Sequence, residues 1–148
     1  MRQVLYVMKF SGQATFAMGG QQQISLKTTG LSNTITTRVT DDGVEGTLAA
    51  TTDGAAFLES TVTMSSANAF TQEGTISFGD DHEISFVTVG TGLFGPSADP
   101  QHFHGSVTWR VTGGSGTLEG ATGYVTSNFT ISDQGEVADY QLGVLFVP

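Results

Sequence analysis

The sequence predicts an all-β fold: a closed antiparallel meander β-barrel of about eight strands, one domain spanning residues 1–148. Three observations carry this expectation. Apolar and polar residues alternate at period two over most of the chain, the spacing of strands with one buried face. No long stretch repeats apolar residues at the i, i+3, i+4 spacing of an amphipathic helix. The breaks between alternating runs are short and rich in Gly and Asp, which tolerate the positive φ of hairpin turns. A sheet of this many strands curls, and closing it removes its exposed edges.

In chain order, strands are expected near 3–17 (bent or broken at Gly12), 24–29, 33–41, 44–51, 56–66, 70–79, 82–90, 104–112, 122–132 and 136–147. Asp41-Asp42-Gly43, Asp53-Gly54, Gly79-Asp80-Asp81 and Asp133-Gln134-Gly135 supply turns. The longest irregular connection runs from Phe94 to His104, stiffened by Pro96 and Pro100. The Gln21-Gln22-Gln23 run is too short to count as low complexity, and no linker or repeat divides the chain.

Composition narrows the function. At 148 residues the chain can build a core without staples. It has no cysteine, so disulfides, thiolate nucleophiles and Cys-ligated metals are excluded. Five Lys and Arg against 14 Asp and Glu, a net charge of -9, argue against nucleic acid and anionic membranes, which are held by basic residues. No apolar run approaches the roughly 18–20 residues of a bilayer span. The first apolar stretch is cut by Lys9 and reads as a first strand of a cytoplasmic protein.

Alternation also assigns faces. The expected interior takes Ile24 and Leu26; Ile35, Thr37 and Val39; Val44 and Leu48; Leu58, Val62 and Met64; Phe70, Gln72 and Ile76; Phe86, Trp109, Ser127 and Phe129; and Tyr140, Leu142, Val144 and Phe146. The outer face takes Lys27, Arg38, Glu45, Glu59, Glu73, Glu83, Arg110 and Asp139. This sorting leaves an interior without a carboxylate, whose polar handles are hydroxyls, the Gln72 amide and the Trp109 indole N–H. The cavity candidates are therefore Gln72, Phe86, Trp109, Ser127, Phe129 and Tyr140, facing a small apolar molecule. The first and last strands are apolar on both faces, which predicts cover on both sides and hence a homo-oligomer, a dimer or trimer.

The histidines are the other chemical candidates. His102 and His104, two apart, would share a face of an extended segment, with Asp99 close by in the same connection. His82 falls at the opposite end of the meander, so no three-histidine site is expected, and neither metal nor other cofactor is assigned. The long connection itself suits either a lid or a cap on one mouth. Gly113-Gly114-Ser115-Gly116 lacks the lysine and following helix of a phosphate loop.

The segment from Trp109 to Val125, Trp-Arg-Val-Thr-Gly-Gly-Ser-Gly-Thr-Leu-Glu-Gly-Ala-Thr-Gly-Tyr-Val, runs strand, glycine turn, bend, strand. It resembles the Gly-Gly-x-Gly-x-Phe-x-x-Ala-x-Gly pattern of dirigent proteins and the matching segment of allene oxide cyclases. The resemblance implies an eight-stranded barrel with an apolar cavity, commonly trimeric, whose members steer a reactive molecule into one cyclised or coupled product. The carboxylate that the cyclases place in the cavity has no counterpart in the interior expected here. The residues thus support a ligand-binding barrel that steers a cyclisation or isomerisation by conformational restriction. Also compatible are a noncatalytic barrel with a packed interior and a metalloenzyme using His102 and His104.

Overall fold

The computed structural model describes residues 1–16 and 23–148. The expected end of the first strand at residue 17 and the Gln21-Gln22 part of the glutamine run lie outside the described residues. The strands are β1 (Arg2–Phe16), β2 (Gln23–Thr40), β3 (Gly43–Met64), β4 (Ala69–Phe78), β5 (Glu83–Thr88), β6 (Gly92–Pro96), β7 (His102–Ser115), β8 (Thr122–Ser132) and β9 (Glu136–Val147). One 3-10 turn, Gly116–Leu118, follows β7. None of the described helices is long and apolar enough to cross a membrane.

All strand pairs are antiparallel, in the order β3-β2-β1-β9-β8-β7-β5-β4, and a β3–β4 pairing closes the ring. The closed eight-stranded barrel is the expected fold. The short β6 lies outside the eight, paired to β4 at Ala69–Leu93 and Phe70–Gly92 and to β7 from Leu93–Ser106 to Pro96–Phe103. Part of the expected irregular connection is therefore a strand. β1 and β9 pair along almost their whole lengths, from Arg2–Val147 to Gln13–Glu136.

Two pairs of expected strands fuse. The runs 24–29 and 33–41 form the single β2, and the runs 44–51 and 56–66 form β3, which passes through Asp53-Gly54 without turning. A register shift between Leu31 and Asn33 absorbs the mismatch. β2 and β3 are thus longer than the barrel requires. Beyond Asn33–Ala50 they pair only with each other, out to a turn at Asp41-Asp42 where Gly43 takes φ 125°. This arm corrects the expectation that Ile35, Val39, Val44 and Leu48 lie inside. Val39 and Val44 are 84% and 73% exposed, because no other strand faces them.

The core is filled from seven of the eight barrel strands, with Tyr6, Met8 and Phe10, Leu58, Ile76, Ile84, Trp109, Val125 and Leu145 all nearly inaccessible, and β2 adds the partly buried Leu26. β9 carries the second correction. Val137, Asp139, Gln141, Leu145 and Val147 point inward, whereas Tyr140, Leu142 and Phe146 point out. Gly143 belongs to the inward set and sits under the Tyr6 ring, its partner across the β1–β9 ladder. A Cβ there would overlap the ring, so the bare glycine is what lets Tyr6 lie flat inside the barrel. Cross-strand ion pairs, Lys27–Glu59 at 3.2 Å and Arg38–Glu45 at 2.6 Å, stay on the exposed outer face, where each adds little.

Gly143→Ala is expected to destabilise the barrel by about 1–3 kcal/mol, the range for forcing volume into a packed core. Gly46→Ala, on the arm, adds a methyl at ordinary contact distance, 3.7 Å from Ile35 Cδ1 and 4.0 Å from Thr37 Cγ2. It should change stability by less than about 0.5 kcal/mol. Urea midpoints of the two variants check the contrast; equal midpoints would show that the Tyr6–Gly143 contact is not tight.

A carboxyl-containing cavity in the barrel

A cavity of about 340 Å³ occupies one end of the barrel. Its position follows from its walls: the end of β1 at Phe16, the start of β2 at Ile24, and the β8–β9 turn at Asp133. Phe70, Phe94, Phe103 and Phe129 make much of the apolar wall, and three of them form edge or tilted ring contacts centred on Phe70. β6 contributes Phe94, and the start of β7 contributes Phe103. The connection singled out by its length therefore shapes the cavity through its aromatic residues rather than its histidines.

Four of the six cavity candidates, Gln72, Trp109, Ser127 and Phe129, line this space. The other two do not. Phe86 is buried behind the wall, stacked on Trp109 with ring centroids 4.2 Å apart. Tyr140 is 56% exposed on the outside, since β9 has the opposite parity to the one expected. The side chain that takes its place inside is Asp139.

Asp139 is 3% exposed. Ser127 Oγ donates to its Oδ1 at 2.6 Å, and Gln141 Nε2 donates to its Oδ2 at 2.7 Å. Tyr6 Oη in turn donates to Gln141 Oε1 at 3.1 Å. The ladder explains the reach: Ser127 stands directly opposite Gln141 and diagonal to Asp139, a spacing long side chains span. Burial pushes the Asp139 carboxyl up to about 6, while the bonds from Ser127 and Gln141 hold it from rising further. Burial, reinforced by the Asp139 charge, holds the Tyr6 phenol far above its ordinary range, so Tyr6 acts as a fixed donor.

Two further polar groups complete the wall. Gln72 Nε2 donates to Ser60 Oγ at 2.7 Å. Trp109 Nε1 is buried and has no hydrogen-bond partner among the described residues. An unmatched buried N–H is costly. The site thus combines one buried carboxyl raised to about 6, the exposed Asp133 at the rim, the Gln72 amide and the Ser127 and Ser132 hydroxyls with a wall that is otherwise aromatic and aliphatic.

The mouth candidates lie elsewhere. Asp99 Oδ2 and His102 Nδ1 are 2.8 Å apart in an exposed turn, and Asp99 also accepts from the Gln101 N–H. These bonds, the backbone one foremost, hold the Asp99 carboxyl below its ordinary value. His102 lines an open groove on the outer face of the sheet, and His104 lines a second outer groove beside Tyr140. Neither reaches the cavity, and among the described residues no three His, Asp or Glu side chains gather as metal ligands.

No protein-family model matches the chain, and no curated protein matches it. Among solved structures it is similar to the pterocarpan synthase dirigent protein, with 15% identity over 99% of this chain and 89% of that one, and a TM-score of 0.51. The shared feature is the fold, the dirigent-type barrel expected from the glycine-rich segment.

The raised carboxyl predicts a pH signature. Between its ordinary value of 3.8 and about 6, Asp139 holds its proton in the folded state and releases it in the unfolded state. Its stabilising contribution is therefore complete below pH 3.8 and is lost as pH rises through about 6. The difference between 3.8 and about 6 corresponds to about 3 kcal/mol. Wild-type stability relative to Asp139→Asn should fall by about that amount from pH 4 to pH 7 in urea titrations; a flat difference would show that the carboxyl is solvated.

Proposed function

We propose that this barrel binds a small, mainly apolar molecule and steers its isomerisation or ring closure, with Asp139 exchanging the proton. The observation that carries the reading is a buried carboxyl, raised to about 6, set in a largely apolar cavity of about 340 Å³. A cavity of that volume falls in the range of small-molecule sites. Isomerisation and ring closure need no co-reactant. The carboxylate removes a proton from one atom of the substrate, and the resulting carboxyl returns one to another. A group titrating near neutrality serves both directions.

The supporting groups follow from the geometry. Ser127 and Gln141 steady the carboxylate, and Tyr6 steadies Gln141. The Phe70, Phe94 and Phe129 rings restrict the ligand's conformation. The fold shared with a dirigent protein is consistent with this use. The packed-interior alternative has less support, because the interior retains space beside its polar groups.

Two measurements test the reading. N-phenyl-1-naphthylamine, a neutral fluorescent probe, should bind with micromolar affinity, and Val62→Phe, which fills the cavity, should weaken it at least about tenfold. An unchanged affinity would place the probe outside the cavity and remove the proposal. The preference for 1-naphthol over naphthalene should rise with pH, with a midpoint of about 6 as Asp139 becomes an acceptor. That pH dependence should vanish in Asp139→Asn; its persistence would assign the acceptor to another group.

A further inference from the structure

Two apolar surfaces of this chain have no partner. One is a face of the β2–β3 arm, where Ile35 stands opposite Leu48 and Val39 opposite Val44. Val39, Val44 and Leu48 are all more than half exposed. The other is the outer face of β1, β9 and β8. There the ladders align Leu5 with Val144 and Tyr124, Val7 with Leu142, and Gln3 with Phe146. Tyr124 is 53% exposed, and Val7, Leu142 and Phe146 are exposed as well. Contiguous apolar surface of this kind marks an interface rather than ordinary scatter.

Charge distinguishes the two surfaces. The chain has only five Lys and Arg. Lys27 and Arg38 are taken by Glu59 and Glu45. Of the other three, Arg2 has the inward parity of Tyr6 and donates to the Thr117 carbonyl, while Lys9 and Arg110 border the outer patch. Lys9 stands opposite Tyr140 with its Nζ 5.7 Å from the ring centroid, and Arg110 stands opposite Tyr124. None of these three makes an ion pair among the described residues. The arm has the opposite balance: Asp41, Asp42 and Glu45 against Arg38 alone.

We propose that the occupant of the patch is the β2–β3 arm of a second copy of this chain. The apolar stripe of the arm would cover Leu5, Val7, Leu142, Val144 and Phe146, and its acidic tip would meet the bordering cations. Copies carrying a net charge of -9 repel one another. The bordering cations give association a specific site where the sign of the interaction reverses. Arm and patch are different surfaces, so each copy offers both, and contact is either reciprocal between two copies or head-to-tail around a ring.

The chain lacks cysteine, which makes the test direct. Light scattering at micromolar concentration should give at least twice 15.5 kDa for the wild type. The double substitution Val44→Asp with Leu48→Asp should give 15.5 kDa with unchanged Trp109 fluorescence, since both side chains are outside the barrel core. Leu48→Cys mixed with Leu142→Cys should form the mixed disulfide on mild oxidation. A wild type of 15.5 kDa, an oligomer that survives the double substitution, or absence of the mixed disulfide would each overturn the proposal.

Discussion

Two short hydrogen bonds onto Asp139, from Ser127 and Gln141, fix the direction in which β9 faces. A strand in a closed barrel alternates strictly, so placing one residue inside places every second one. With Asp139 inside, Gln141 is inside to bond it, Gly143 is inside to leave room for Tyr6, and Leu145 and Val147 complete the core. The same choice sends Tyr140, Leu142 and Phe146 outward, where they make the apolar patch. A one-residue slip would exchange a hydrogen-bonded interior for an apolar one. It would also set a Cβ-bearing residue against Tyr6 where only glycine fits, which holds the register against the alternative.

Most of the architecture was legible because the alternation of β4, β5, β7 and β8 is unambiguous. Polar residues such as Glu73 and Arg110 mark one face, and Ile76, Ile84, Trp109 and Val125 the other. β9 offered no such contrast. Val137, Leu145 and Val147 make one apolar set, and Leu142, Val144 and Phe146 make another of equal weight. Keeping a charged residue outside decided the tie for the wrong set. A buried Asp escapes that rule when its neighbours supply donors, and Ser127 lies on another strand, so the pairing was invisible until the ladder was known. The cavity rings Phe94 and Phe103 were missed for a related reason. They lie in and beside β6, whose turn-like sequence hid a five-residue strand.

The arm has a different origin. Residues 33–50 alternate as well as any barrel strand, so pattern alone put Ile35 and Val39 in the core. What removes them is length. The neighbouring β1 and β4 stop pairing with β2 and β3 well before the arm begins, and two strands with only each other cannot bury a face. Alternation identifies a strand and its apolar side, while the neighbours available in three dimensions decide whether that side meets a core.

The pairing of β1 with β9 joins the most distant strands of the meander. Such contacts are slow to form, because a long loop must close before any of their energy is gained. Ser127, Asp139 and Gln141 lie within the β8–β9 hairpin and can meet without that seam, whereas Tyr6 joins the network only across it. In the open chain Asp139 is a hydrated side chain titrating in its ordinary range, with no claim on a proton at neutral pH. Burying it is therefore also a protonation event: folding the barrel takes up part of a proton from solvent.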